Sequence, residues 1–356
     1  MTAPAIRFGI NFTQQVPVER IRPWWQTADR AGIAMLGLPD SPLLLRELYV
    51  TTAAAALATT RVRLLTCVSN PVTRHPSVTA SALTTLAELA PGRITFGIGT
   101  GDSALWSIGE KPATIAELRA YIRALKALLR GEHAVWRGHR FKPEWSNAVF
   151  PVEVPILVAC AGPKMLAMAA AEADGFLINM GYAPAQTAWI QETIAKAARA
   201  AGRDPEPLEV WWNAPVTFAE SRAAAMAGSL GWGLNWLTEG TMEGKGIPEH
   251  LKEPIRRFNA DNHDLFAVYQ MPDRGRVLVE RAKALGIYEW AIEQAPQLFG
   301  TPDDVAARLR TLAARGLTRW MCFQPMHGAY GPQTDAARLG YIEKLAAVAA
   351  RVAVPA

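Results

Sequence analysis

The residues of this chain that could carry chemistry lie in short segments, each at the end of a β-rich run. They are Asn11-Phe12, Pro39-Asp40-Ser41, Cys67 to Pro71, Gly99 to Ser103, Ala159 to Pro163, Asn179-Met180-Gly181, Asn213 and Gln324. No serine–histidine–acid set, paired carboxylate or metal-ligand spacing appears among them. The six histidines form no HExxH cluster, and the three cysteines, Cys67, Cys160 and Cys322, are far apart. Three well-separated cysteines in apolar runs read as small buried hydrophobes in a reducing, cytoplasmic setting rather than as a disulfide framework. What the segments do offer is glycine, amide and hydroxyl groups, which suit close backbone approach to a bound molecule. Such a set fits a cofactor that brings the difficult chemistry with it.

Two segments are specific enough to weigh. In Gly99-Thr100-Gly101-Asp102 the glycines would let the main chain approach a ring or phosphate, with Asp102 projecting into the mouth of a site; alternatively, Asp102 simply caps a turn. Ala161-Gly162-Pro163-Lys164 opens a helix after a strand. That is the geometry of an anion site, or of a plain helix start with proline in its first turn. Arg74-His75-Pro76 precedes another helix, where His75 either meets an acidic cofactor tail or caps and packs.

The elements that must hold these segments alternate along the chain. Strands are expected at Ile6–Phe12, Ala34–Leu38, Val62–Val68, Ile94–Ile98, Pro155–Ala159, Gly175–Ile178, Leu208–Val216 and Thr318–Phe323, with helical patterns between most of them. Thr114 and Glu117 spell a capping box, and Leu118, Ile122, Leu125 and Leu129 line one face of the helix that follows. Thr301-Pro302-Asp303-Asp304 is a second helix start. Strand-then-helix order requires parallel strands, and eight such units predict a closed (β/α)₈ TIM barrel over residues 1–356, whose ligands bind where strands end. Two segments break the rhythm: Trp136–Phe150 reads as a surface hairpin or loop. An insertion after strand seven, about residues 231–297, is either a substrate lid or a buttress.

Composition narrows the class. Half of the 356 residues are hydrophobic and 19% are charged, enough for a large core and against disorder. No signal peptide or membrane-length apolar run is evident. The net charge of +5 comes from scattered lysine and arginine with no aromatic-laced basic stripe, so nucleic acid is not an expected partner.

At these motifs the chain resembles the luciferase-like flavin and deazaflavin oxidoreductase superfamily, nearest to its methylenetetrahydromethanopterin reductase-like branch. The likeness rests on RELYVTTAAAALATTRVRL (Arg46 to Leu64), SNPVTRHP (Ser69 to Pro76), GTGD (Gly99 to Asp102), AGPKML (Ala161 to Leu166), ADGFLIN (Ala173 to Asn179) and GTPDDV (Gly300 to Val305). It is good over about residues 5–180 and poor across the insertion.

The resemblance implies a barrel that binds either FMN or the 5-deazaflavin coenzyme F-420. By position, Asp40 is similar to an acid that contacts the deazaflavin ring. Cys67-Val68 resembles a third-strand bulge that holds a non-prolyl cis peptide against the ring. Asn70 and Thr100 fall where ring or ribityl contacts are made, Ala161, Gly162 and Lys164 at the phosphate end, and Asn179 also among the cofactor contacts. Asp102 matches an acid that moves a proton in some relatives. One departure is plain: many relatives have histidine after the strand-two acid, whereas Ser41 stands here. That role is then lost or passes elsewhere, with His327 after strand eight as the candidate. This argues against the sugar-phosphate dehydrogenase members, and the unmatched insertion argues against a methanopterin substrate.

Three readings follow. The first is hydride transfer between the deazaflavin coenzyme and a small organic substrate, apolar or aromatic if Trp106, Trp211 and Trp232 line its site. The second is an FMNH₂-dependent monooxygenase served by a separate flavin reductase, and the third a non-catalytic flavin-binding barrel. A homo-oligomer is expected.

Overall fold

The computed structural model describes residues 6–145, 149–222, 224–225, 234–238, 242–261, 274–294, 298–323 and 334–353. Eight parallel strands close on themselves: β1 (Arg7–Asn11), β2 (Met35–Leu38), β3 (Arg63–Thr66), β4 (Ile94–Ile98), β7 (Ile156–Cys160), β8 (Gly175–Ile178), β9 (Glu209–Phe218) and β11 (Arg319–Phe323). Pairings of β8 with β9, β9 with β11 and β11 with β1 complete the ring. The expected barrel is therefore present, with each expected strand in its place. Between β4 and β7, β5 (Ala134–Trp136) and β6 (His139–Phe141) pair antiparallel, which is the expected surface hairpin.

Helices cover the outside because each strand buries both faces. In chain order they are α1 (Val18–Arg30), α2 (Leu48–Ala58), α3 (Pro76–Leu89), α4 (Ser103–Trp106), α5 (Ile115–Leu129), α6 (Pro163–Glu172) and α7 (Pro184–Ala200). The capping box of Thr114 and Glu117 starts α5, and its apolar face is buried. The later helices are α8 (Asn235–Thr238), α9 (Glu249–Asp261), α10 (Arg274–Ala284), α11 (Tyr288–Gln294), α12 (Pro302–Ala313) and α13 (Asp335–Ala353). Among the described residues no helix is long and apolar enough to cross a membrane.

Inside the barrel, Met35, Leu65, Leu157, Leu177, Trp211 and Met321 pack into one column. Strand registers stagger so that each interior layer draws on alternate strands. Gly97 is required there, because a Cβ on it would stand 2.1 Å from the Thr66 carbonyl oxygen. The N-terminal mouth is plugged. Arg63 donates to both Glu209 carboxylate oxygens at 2.9 and 3.0 Å, and Trp211 Nε1 donates to the same group at 2.7 Å. Trp211 is thus a filler of the barrel interior, not a wall of a substrate pocket.

The insertion carries its own apolar cluster, including Trp236, Leu251, Ile255, Phe258, Leu278 and Ile287. The chain returns through β10 (Leu298–Gly300), which pairs with Val216 to Phe218. That pairing extends β9 two residues beyond the strand expected from sequence.

Candidate active site

The open end of the barrel gathers the segments singled out above. Asp40 follows β2, and its side chain is only 2% exposed. It accepts from Ser69 Oγ at 2.7 Å and from the Arg74 guanidinium at 2.6 Å. Arg74 also donates to Glu47 at 2.7 Å and lies 4.9 Å over the Tyr49 ring. Burial disfavours the Arg74 charge, but the adjacent Asp40 and Glu47 outweigh it and raise its pKa. Arg74 was not singled out from sequence. Its only signal was a basic residue within a strand-end motif, and pairing over a separation of 34 residues is set by the barrel.

Cys67 and Val68 leave β3 through a cis peptide, as the resemblance implies. Burial pushes the Cys67 thiol up to about 12, which keeps it in the neutral form at ordinary pH. Cys160 and Cys322 are free and buried. Ser69 is bridged to β4, donating its N–H to the Gly97 carbonyl and accepting from Gly99 N, both at 2.9 Å.

Asn70 is buried, and its side-chain carbonyl accepts from Val72 N, Thr73 N and Thr73 Oγ1 at 2.9–3.2 Å. Its Nδ2 has no partner among the described residues. A donor left bare in a buried position is costly unless a ligand meets it.

Beyond β4 the chain turns at Gly101, whose φ of +98° and near contact with Leu105 suit only glycine. Half-buried Thr100 lends its carbonyl to Ala113 N at 2.9 Å. Asp102 is exposed and caps α4 by accepting from Ser103 N. Ser41, which follows Asp40, meets the Ser103 hydroxyl at 2.7 Å. A hydroxyl pair therefore links the ends of β2 and β4 beside Asp102, a feature sequence reasoning missed.

Gly162 is the N-cap of α6 in extended backbone and brings no side-chain cap. Pro163 has no N–H, and the amides of Lys164 and Met165 have no intrahelical acceptor. The open helix end, with the exposed Lys164 side chain beside it and half-buried Ala161 before it, suits an anion. Half-buried Asn179 follows β8 and donates its backbone N–H to Cys160 O at 3.1 Å. His75 caps α3 through Ser77 N and packs 5.1 Å from the Phe141 ring, which is its capping-and-packing reading. Burial, then Arg137 and His139, lowers its pKa. His327 and Trp232 lie outside the described residues. No metal-holding group of His, Cys, Asp or Glu occurs among the described residues.

Small side chains face one another at this mouth. A Cβ on Gly99 would stand 3.3 Å from Val68 and 3.4 Å from Ala159, and one on Gly37 would stand 3.0 Å from Cys67. Small walls, the unpartnered Asn70 donor and the open α6 terminus fit a flat ring with a phosphate-bearing tail, common to FMN and the deazaflavin coenzyme.

The chain is 29% identical over 335 residues to 5,10-methylenetetrahydromethanopterin reductase of Methanolobus tindarius, covering 93% of this chain and 96% of that one. It is 30% identical over 255 residues to an F420-dependent glucose-6-phosphate dehydrogenase of Nakamurella multipartita, covering 65% and 74%. Among solved structures, the coenzyme F420-dependent tetrahydromethanopterin reductase of Methanopyrus kandleri shares the fold with a TM-score of 0.70 at 20% identity, over 96% of this chain and 98% of that one. The luciferase-like monooxygenase family model matches residues 5–319, and the chain belongs to that family.

Proposed function

We propose that this enzyme transfers a hydride between the 5-deazaflavin coenzyme and a small organic substrate. The observation that carries the reading is the full-length likeness to a reductase, alongside relatives named as F420-dependent dehydrogenases. When bound, the deazaflavin ring supplies the hydride-accepting and hydride-donating carbon.

The chain's own residues would bind, orient and move a proton. Cys67 and Val68 back the ring, Asn70, Thr100 and Asn179 meet its polar groups, and Ala161, Gly162 and Lys164 hold the phosphate. Asp40 acts on the ring wall through Ser69, held in place by Arg74. Asp102 exchanges the proton that accompanies hydride transfer, beside the Ser41–Ser103 hydroxyl pair.

The insertion would close over the substrate. Gln186 Nε2, donating to the Gly244 carbonyl at 2.7 Å, ties it to α7. Association of copies would use the uncharged α2 and the neighbouring α3, where Val50, Leu57 and Val78 are 69%, 74% and 55% exposed. The deciding experiment offers purified protein the oxidised deazaflavin coenzyme, FMN, and FMNH₂ with oxygen. Tight deazaflavin binding without FMNH₂-dependent oxygen consumption supports the reading. Oxygen uptake with FMNH₂ and a separate flavin reductase would replace it with the monooxygenase.

A further inference from the structure

We propose that Asn11 and Asn213 form an amide clamp for the N–H edge of the cofactor's pyrimidinedione ring. The proposal rests on the flavin-type cofactor reading above.

Strand registers place Asn11 of β1, Cys67 after β3, Ala159 of β7 and Asn213 of β9 at one height, the topmost interior layer built from alternate strands. Asn11 Nδ2 lies 3.7 Å from Cys67 Sγ, which ties the first two together directly. This is the layer of the Cys67–Val68 peptide. A ring backed by that peptide meets the same layer along its other edges.

Two carbonyl oxygens in this layer, Asn11 Oδ1 and Asn213 Oδ1, are shut off from solvent and meet no donor among the described residues. The main chain at Asn213 is already engaged, since its carbonyl accepts from the Tyr182 hydroxyl at 2.6 Å. Only its side chain remains to bind. Buried acceptors without donors are rare in folded proteins and point to a missing partner. The layer holds no carboxylate or ammonium group, so the complement is a neutral donor.

FMN and the deazaflavin coenzyme share one such donor, the ring N3–H between two carbonyls. The phosphate has its candidate in the α6 terminus, and Asn70, whose free Nδ2 is a donor, suits the carbonyl or ribityl oxygens, whereas no acceptor has yet been assigned to N3–H. Ring geometry agrees. The phosphate end lies beyond β7, opposite β1 in the closed barrel, and β9 lies opposite β3. A ring running inward from the α6 terminus past Cys67 therefore directs its far edge towards β1 and β9.

The test compares each cofactor with its N3-methyl derivative, which keeps the ring and loses the donor. Fluorescence titration reads binding without turnover. The wild-type protein should bind the parent about tenfold more tightly than the methylated form. Asn11→Ala and Asn213→Ala should each weaken the parent by about 3- to 10-fold and leave the methylated ligand nearly unchanged, so that discrimination collapses. Equal wild-type affinity for the two forms overturns the clamp, and this arm does not depend on any variant folding. A folded variant that keeps full discrimination overturns it as well. If neither FMN nor the deazaflavin coenzyme binds, the cofactor reading itself fails.

Discussion

Replacing Arg74 by methionine tests whether the wall of the site is held by a buried ion pair. The substitution keeps much of the side-chain stem, so little apolar burial is lost. The Glu47 contact is half exposed and is worth about 1 kcal/mol at most. The Asp40 pair dominates, because the Asp40 side chain is 2% exposed and the Arg74 side chain 14%. Without Arg74, Asp40 keeps only the Ser69 hydroxyl as a partner, and leaving a buried charge uncompensated costs about 3–5 kcal/mol. Equilibrium urea unfolding of Arg74→Met, Asp40→Asn and the double variant measures this. The double variant should lose less than the sum of the single losses, by at least about 2 kcal/mol. Deazaflavin affinity should fall in Arg74→Met, because Ser69 and the Cys67–Val68 segment lose their anchor. A loss below about 1 kcal/mol, with additive single effects, would refute a stabilising Arg74–Asp40 pair.

Three further outcomes follow from the same geometry. Asp102→Asn should lower kcat by about 10²–10⁴-fold with cofactor affinity little changed, by steady-state kinetics and fluorescence titration; a collapse of affinity would make Asp102 a positioning group instead. Gly162→Asp should weaken cofactor binding, since the extended backbone accepts any residue and the added carboxylate repels a phosphate; unchanged affinity in the folded variant would move the phosphate site. Asp29 is buried with its charge favoured by bonds from Thr60, Arg61 and Val62, which overcome desolvation and lower its pKa below 3.8. Its contribution is therefore complete above the unfolded-state pKa and lost as pH falls through the folded one; the gap of about 2–3 kcal/mol between wild type and Asp29→Asn should hold at neutral pH and close below about pH 4, as urea midpoints across pH would show.

The sequence by itself determined the eight strands, most of the helix starts and the mouth that carries the site. These follow from local causes: two-residue and 3.6-residue periodicity, capping boxes such as Thr114 with Glu117, and glycine at turns. Family motifs added the Cys67–Val68 peptide and the cofactor class. Tertiary structure alone decided which side chains meet. Asp40 found Arg74, Ser41 found Ser103, and Trp211 sank beneath the mouth to bond Glu209. Asn11 came level with Asn213 from some 200 residues away. β9 outran its expected end because β10, three residues long and far along the chain, pairs with it. Alternation along a strand says which residues face inward. Their height, and therefore their partners, depends on the stagger at which the barrel closes, and that stagger is a property of all eight strands together.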